Sequence, residues 1–235
     1  MGILMKNEDA LDSAVFITPT KDKFLITPKG KHKQQQTFFA MKRAIDILAS
    51  TALLLFFAPL IGAFALMVRL DGHRAFYGQV RLGKNGLPFR MWKLRSMVPD
   101  ADARLARHIA ANPAAKEEWD NNQKLLCDPR VTAIGRLLRK YSLDELPQLF
   151  NVLSGEMSLI GPRPMMCGQQ SGYPGELYAG LRPGLTGLWQ VSRRDDQTFA
   201  ARARFDLEYA QNLSIANEGR IVLLTLVYLF KGRGC

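Results

Sequence analysis

The densest chemistry in the chain lies in residues 139–164, RKYSLDELPQLFNVLSGEMSLIGPRP, where Asp144 and Glu145 stand side by side. Arg139 and Lys140 precede the acidic pair, and Arg163 follows it between Pro162 and Pro164. Two carboxylates at a helix start have an ordinary structural use. Ser142 with Glu145 three residues on fits a capping box, and exposed acids near a helix N-terminus gain roughly 0.3–1 kcal/mol each from the dipole. Pro147 refines this reading. With Ser142 as N-cap, Pro147 is the fifth helical residue, where a backbone N–H is needed; with Asp144 as cap it is the third, where none is lost. Asp144 is then expected at a helix mouth whose free N–H groups attract phosphate oxygens. Asp can attack phosphorus, Glu can hold a divalent cation and arginines can grip the equatorial oxygens, a set suited to phosphoryl transfer. On spacing alone, capping and catalysis account for the pair equally well.

The elements that must position these residues are readable in outline. Ala75 to Val80 and Pro88 to Leu94 alternate as two short strands about the Gly83-Lys84-Asn85-Gly86 turn, which predicts a small hairpin. Asp100 is placed to cap one helix, and Asn112 with Pro113 at the first helical position opens another running through Trp119 towards Leu126. Helices are predicted from Thr132 to Lys140, from about Asp144 to Leu153, and from Phe199 to Asn212. The stretches GEMSLIGPRP and LRPGLTGLWQV read as loops with rigid corners. Ile221 to Phe230 is apolar but too short to span a bilayer, so it is a core helix or lies at a membrane interface.

One run is different in kind. From Ile47 to Val68 there are 22 residues without a charge, enough to cross a bilayer. Its flanks are both basic: Lys29, Lys31, Lys33, Lys42 and Arg43 before it, and Arg69, Arg74, Arg81, Lys84, Arg90, Lys93 and Arg95 after it, with only Asp71 opposing. The positive-inside rule wants both flanks on the cytoplasmic side, which a single crossing cannot provide. Pro59 offers the way out, since it frees the carbonyl of Leu55 and disfavours helical geometry at Ala58. The expected element is a re-entrant helix broken at Ala58–Pro59, with Ser50, Thr51 or neighbouring protein satisfying the freed groups; a Pro-kinked spanning helix is the alternative. Residues 1 to about 37, with the fragments FITPTK and LITPKG, read as a flexible basic tail.

Composition bounds the answer. The chain has 235 residues, 47% of them hydrophobic and 23% charged, so disorder and disulfide-scaffold classes fall away. A net charge of +11, from 32 basic and 21 acidic residues, asks for an anionic partner. Nucleic acid, anionic lipid and phosphorylated substrates all qualify, yet no helix-turn-helix, zinc-finger or RNP-like pattern is present. Cys127, Cys167 and Cys235 lie far apart, and His32, His73 and His108 lack ligand spacing, so no zinc site is expected. Trp92, Trp119 and Trp189 read as core or interface anchors, and Asp206 with Tyr209 as a structural pair one helical turn apart.

Together these segments resemble the bacterial sugar transferase family of monotopic phosphoglycosyl transferases, particularly members that begin exopolysaccharide synthesis. The resemblance runs from about Lys42 to Lys231 and rests on KRAIDILA, FYGQVRLGKNGLPFRMWKLRSM, DPRVTAIGRLLRKYSLDELPQLFNVLSGEMSLIGPRP, RPGLTGLWQV and FDLEYAQNLS taken together. It implies transfer of galactose- or glucose-1-phosphate from a UDP-hexose to undecaprenyl phosphate, releasing UMP. Asp144 would be the nucleophile, forming a phosphosugar-aspartyl intermediate, and Glu145 the magnesium ligand. Arg139 and Arg163 would contact phosphate, with Pro162 and Pro164 shaping the nucleotide site; Lys93, Arg95 and Arg194 are further candidate phosphate contacts. Three positions depart from the family pattern: Ala58 in place of Ser, Arg193 in place of Gly, and a more polar 214–218 segment. The expected fold is α+β and mainly helical. It has a tail over 1–37, a re-entrant membrane helix over 38–70 and a cytosolic catalytic domain with interfacial helices over 71–235, at the cytoplasmic face of the inner membrane. Expected partners are UDP-hexose, undecaprenyl phosphate and membrane lipids, with a homodimer left open and no nucleic acid. A non-catalytic scaffold or a membrane-tethered nucleic-acid-binding protein would be the alternatives.

Overall fold

The long uncharged run, rich in Leu, Ala and Phe, forms helix α1 (His32–Arg69), because a chain in apolar surroundings must satisfy its backbone groups internally. The structure, a computed structural model, describes residues 32–122, 125–168, 180–192 and 199–230. Two expectations about α1 are corrected. The helix starts at His32, inside the segment expected as tail, and it continues without interruption through Ala58 and Pro59. Proline forfeits one hydrogen bond and bends a helix, but the residues on both sides keep helical geometry, so the expected break is reduced to the loss of one donor. Ser50 is fully buried and its hydroxyl has no partner among the described residues, so it does not satisfy the freed carbonyl.

Lys42, Asp46, Ser50, Ile61 and Val68 are buried, and their spacing puts them on one face of α1. The opposite face leaves Leu48, Leu55, Phe56 and Leu66 exposed at 70–75%. Both ends of α1 are held by the same folded unit. Near the start, Arg43 donates to the carbonyls of Val152 (2.6 Å) and Leu153 (2.8 Å), while Asp46 accepts from Ser158 Oγ (2.8 Å) and the Leu159 N–H (3.1 Å). Near the end, Phe64, Ala65 and Val68 pack with Ala75, Leu94, Leu138, Ile134 and Leu143. The helix ends at Arg69, whose carbonyl accepts from the Gly72 N–H (2.9 Å), and Gly72 then turns the chain away at φ +83°.

The hairpin forms as the alternation predicts. Strand β1 (Phe76–Leu82) pairs antiparallel with β2 (Pro88–Leu94), from Phe76↔Leu94 to Leu82↔Pro88, and Asn85 and Gly86 turn the chain at positive φ. Helices α2 (Ala101–Ala111) and α3 (Pro113–Asn122) follow. Asn112 caps α3 as expected, accepting from Ala114 N (3.1 Å) and Ala115 N (3.2 Å), and α3 runs through Trp119 to Asn122 among the described residues. The Asp100 side chain makes no cap bond; it pairs instead with Arg104 and Arg107 along α2. Helix α4 (Ala133–Lys140) opens on Thr132, whose hydroxyl accepts from Gly135 N (2.9 Å).

Helix α5 (Gln148–Ser154) begins four residues later than the spacing predicts, because Leu143–Glu145 forms a single 3-10 turn first. The stretches read as loops contain β3 (Ser158–Ile160) and β4 (Gly184–Thr186), paired in parallel, and the short α6 (Leu188–Val191). Helices α7 (Phe199–Gln211) and α8 (Ile215–Phe230) complete the described residues. Ile221 of α8 is buried with Ile160 and Tyr209, whereas Val222, Leu223, Leu226 and Val227 are exposed. Among the described residues the fold is mainly helical with two small sheets.

A buried polar group closes the first helix onto the last. Lys42 pairs with Glu218, and the Tyr209 hydroxyl donates to Glu218 Oε1 (2.5 Å) while lying 3.2 Å from the Ile160 carbonyl. Burial, then the Glu218 charge, pushes the Tyr209 hydroxyl pKa well up, so it stays a donor. The polar 214–218 segment thus supplies an interior partner through Glu218.

Candidate active site

Asp144 and Glu145 sit in the 3-10 turn between α4 and α5. The turn is reached through Ser142, a non-glycine residue at φ 54°, ψ 26°, a left-handed conformation that costs about 1–2 kcal/mol. Ser142 makes no side-chain cap bond, so the capping-box reading fails; Asp144 is not the N-cap of α5 either, since Pro147 occupies that position. Neither carboxylate is spent on capping that helix.

Asp144 is buried, 7% exposed. Burial pushes its pKa above the usual carboxylate range and Glu145 adds to that, while Lys93 and Arg139 pull it down. Glu145 keeps 37% of its side chain exposed and receives an ion pair from Lys93 Nζ on Oε1 at 2.7 Å. Burial would raise the Glu145 pKa, but the charge and hydrogen bond of Lys93, with Arg163 and Arg81 behind them, hold it below the usual range. Four cations, Lys93, Arg81, Arg139 and Arg163, therefore act on two carboxylates, and the excess suits a polyanionic ligand.

Arg139 lies near the C-terminus of α4 and donates from Nε to Ser96 Oγ at 2.9 Å. Arg163 follows β3 on the corner formed by buried Gly161, Pro162 and Pro164. That corner is closely built: Gly161 N donates to the Thr186 carbonyl (2.9 Å) and Gly184 N to the Pro162 carbonyl (2.8 Å). A Cβ on Gly184 would lie 2.1 Å from Gly161 N, so only glycine allows this approach.

Of the expected site residues, the structure thus brings together Asp144, Glu145, Lys93, Arg139 and Arg163, with the prolines beside Arg163. Arg95 is placed elsewhere. Its guanidinium holds both oxygens of Asp71 (2.6 and 2.7 Å) and donates to the carbonyls of Val68 (3.0 Å) and Arg74 (2.7 Å), clamping the end of α1. That hydrogen bond, with the His73 N–H, holds the Asp71 pKa down to about 2. Ala58 and Pro59 are on the exposed part of α1, and Arg193 and Arg194 lie outside the described residues.

The sequence places Arg81 only among the basic residues that follow the apolar run. In the structure it donates to the Pro164 carbonyl (3.3 Å) and to Gln79 Oε1 (2.6 Å), and its charge reaches Glu145. The signal available for it was strand alternation, which puts Gln79 and Arg81 on the same face of β1.

No group of three or more His, Cys, Asp or Glu side chains is gathered among the described residues. Two adjacent carboxylates with hard oxygen donors nevertheless fit magnesium, which is commonly held by one or two carboxylates plus substrate phosphates and water.

The chain is similar over most of its length to known proteins. Residues 37–232 match the family model described as bacterial sugar transferase. The chain is 44% identical over 196 residues to the exopolysaccharide production protein ExoY of Rhizobium meliloti, covering 82% of this chain and 87% of that protein. It is 42% identical over 196 residues to the undecaprenyl-phosphate galactose phosphotransferase of Salmonella typhimurium, covering 83% of this chain and 41% of that longer protein. It is also 35% identical over 204 residues to the UDP-glucose:undecaprenyl-phosphate glucose-1-phosphate transferase of Escherichia coli, covering 82% of this chain and 40% of that protein.

Proposed function

The chain belongs to the bacterial sugar transferase family, and on that premise we propose that it moves a hexose-1-phosphate, galactose or glucose, from a UDP-sugar to undecaprenyl phosphate. This would be the first step of exopolysaccharide repeat-unit synthesis. A carboxylate oxygen of Asp144 attacks the β-phosphorus, forming an Asp–O–P bond as the bridging P–O bond to UMP breaks. The phosphate of the lipid acceptor then attacks the same phosphorus, and Asp144 leaves as a carboxylate. One phosphoanhydride is exchanged for another, with no other energy source. The observation that carries this reading is the buried Asp144 beside Glu145 within the field of Lys93, Arg139, Arg163 and Arg81.

The residues divide the work. Arg139 and Arg163 grip the donor's phosphates and shield Asp144 from their repulsion, while Lys93 orients Glu145 and pulls the pKa of both carboxylates down. Magnesium, held by Glu145 with Asp144 alongside, would neutralise diphosphate charge when bound. The test is to incubate purified protein with UDP-hexose and Mg²⁺, then measure UMP release and the mass of the Asp144 peptide. A sugar-phosphate adduct on Asp144 is expected; full turnover by Asp144→Asn would sink the covalent step.

The posture proposed for α1 is re-entrant, with the active site at the cytoplasmic face of the inner membrane. Arg43 and Asp46 at one end, and Phe64 to Asp71 at the other, are held by the same folded unit, which favours both ends lying on one side of the bilayer. The exposed apolar faces of α1 and α8 would then enter the lipid. The basic flanks would hold anionic headgroups and draw the acceptor's phosphate to the depth of Asp144.

A further inference from the structure

We infer that Ser96 is a positioning residue for Arg139, holding its guanidinium side-on so that the two terminal nitrogens face the donor's phosphates. This rests on reading Arg139 as a phosphate-gripping residue. Ser96 is 7% exposed, and its hydroxyl accepts the Arg139 Nε–H at 2.9 Å. An arginine bound through Nε keeps the fork of its terminal N–H groups for planar two-point recognition of phosphate. A hydroxyl is also neutral, so it fixes the side chain without cancelling its charge, and Arg139 still lowers the pKa of Asp144.

The main chain around Ser96 is built to keep that hydroxyl in place. Residues 96–98 run beside 130–132: Thr132 N donates to the Ser96 carbonyl (3.1 Å), Val98 N donates to the Arg130 carbonyl (2.8 Å), and Met97 bridges Val131. The Ser96 carbonyl also lies so close to α4 that a Cβ on Gly135 would come within 1.9 Å of it. Gly135 and Arg139 are one helical turn apart on the same face of α4. The backbone of Ser96 therefore sits against the first turn of the helix and its side chain meets the next. Arg95, the preceding residue, is itself clamped to Asp71. Thr132 and Gly135 use only main-chain atoms of Ser96, so alanine at this position deletes the hydroxyl and leaves those contacts intact.

The test uses the full chain in lipid nanodiscs with UDP-hexose as donor and undecaprenyl phosphate as acceptor, comparing wild type, Ser96→Ala, Ser96→Thr, Arg139→Ala and the Ser96→Ala/Arg139→Ala double variant. Ser96→Ala should lower donor kcat/KM roughly tenfold, the scale of one hydrogen bond to a charged group, with acceptor KM unchanged and with recovery in Ser96→Thr. In the Arg139→Ala background the same change should cost nothing further, because the group it positions is gone. An equal loss in both backgrounds overturns the proposal, since the hydroxyl would then act on the fold and not through Arg139. Wild-type kinetics in Ser96→Ala beside a crippled Arg139→Ala overturns it while leaving the reading of Arg139 intact. Wild-type kinetics in Arg139→Ala overturns both.

Discussion

Lys93 does two things at once: it binds Glu145 directly, and it opposes the desolvation that raises the Asp144 pKa. A nucleophilic Asp144 must be unprotonated, so activity should fall as pH drops through its folded value, which lies above the ordinary 3.8. Replacing Lys93 by Met keeps the aliphatic stem and removes the charge. Both carboxylates then hold their protons to higher pH, and the acid limb of log kcat/KM against pH should move upward; a limb that stays in place would refute the coupling. At this scale the sequence was informative where residue types were unusual together, as with Asp144 and Glu145 among arginines. It did not separate the roles of Arg81 and Arg95. Both sit in the same basic stretch, yet the pleat turns Arg81 towards Pro164 while Arg95 is taken up by Asp71 and the end of α1.

Among the elements, the hairpin, α4 and the Asn112–Pro113 start of α3 follow from local chemistry, because turn glycines, caps and alternation act over a few residues. The late start of α5 does not. A left-handed serine and a 3-10 turn come before it, and that choice depends on the packing of Leu143 against a core cluster that includes Val68, Ala75 and Leu94 from distant parts of the chain. The parallel pairing of β3 with β4 was equally hidden, since each strand has only three residues and the two are joined through non-local contacts. Gly135 tests the packing of α4. A Gly→Ala change inside a helix ordinarily stabilises by about 0.5–1 kcal/mol, but here the added methyl would press on the Ser96 carbonyl, and overpacking costs about 1–3 kcal/mol. Gly135→Ala should therefore lower the melting temperature and the activity together. Gly219→Ala in α8, where the methyl meets nothing within 4 Å, should not.

For the molecule as a whole, much of the basic excess behind the net charge of +11 lies on the two flanks of α1 and around the carboxylate pair, a distribution that fits the anionic lipid and phosphate partners proposed above. The arrangement of α1 predicts a topology result. With Cys127, Cys167 and Cys235 replaced, single cysteines at Gln36 and His73 should react with an impermeant thiol reagent from the same side of sealed vesicles. Labelling from opposite sides would establish a simple crossing.

The pairing of Lys42 with Glu218 joins groups 176 residues apart. During synthesis at roughly 5–20 residues per second, Lys42 would emerge about 9–35 s before its partner exists. In that interval α1 is already made, but the carboxylate that pairs with its Lys42 is still missing. Assembly thus finishes from the carboxyl end, and a nascent chain stopped short of α8 would reach the membrane with an unmatched cation where the finished enzyme has a closed interior.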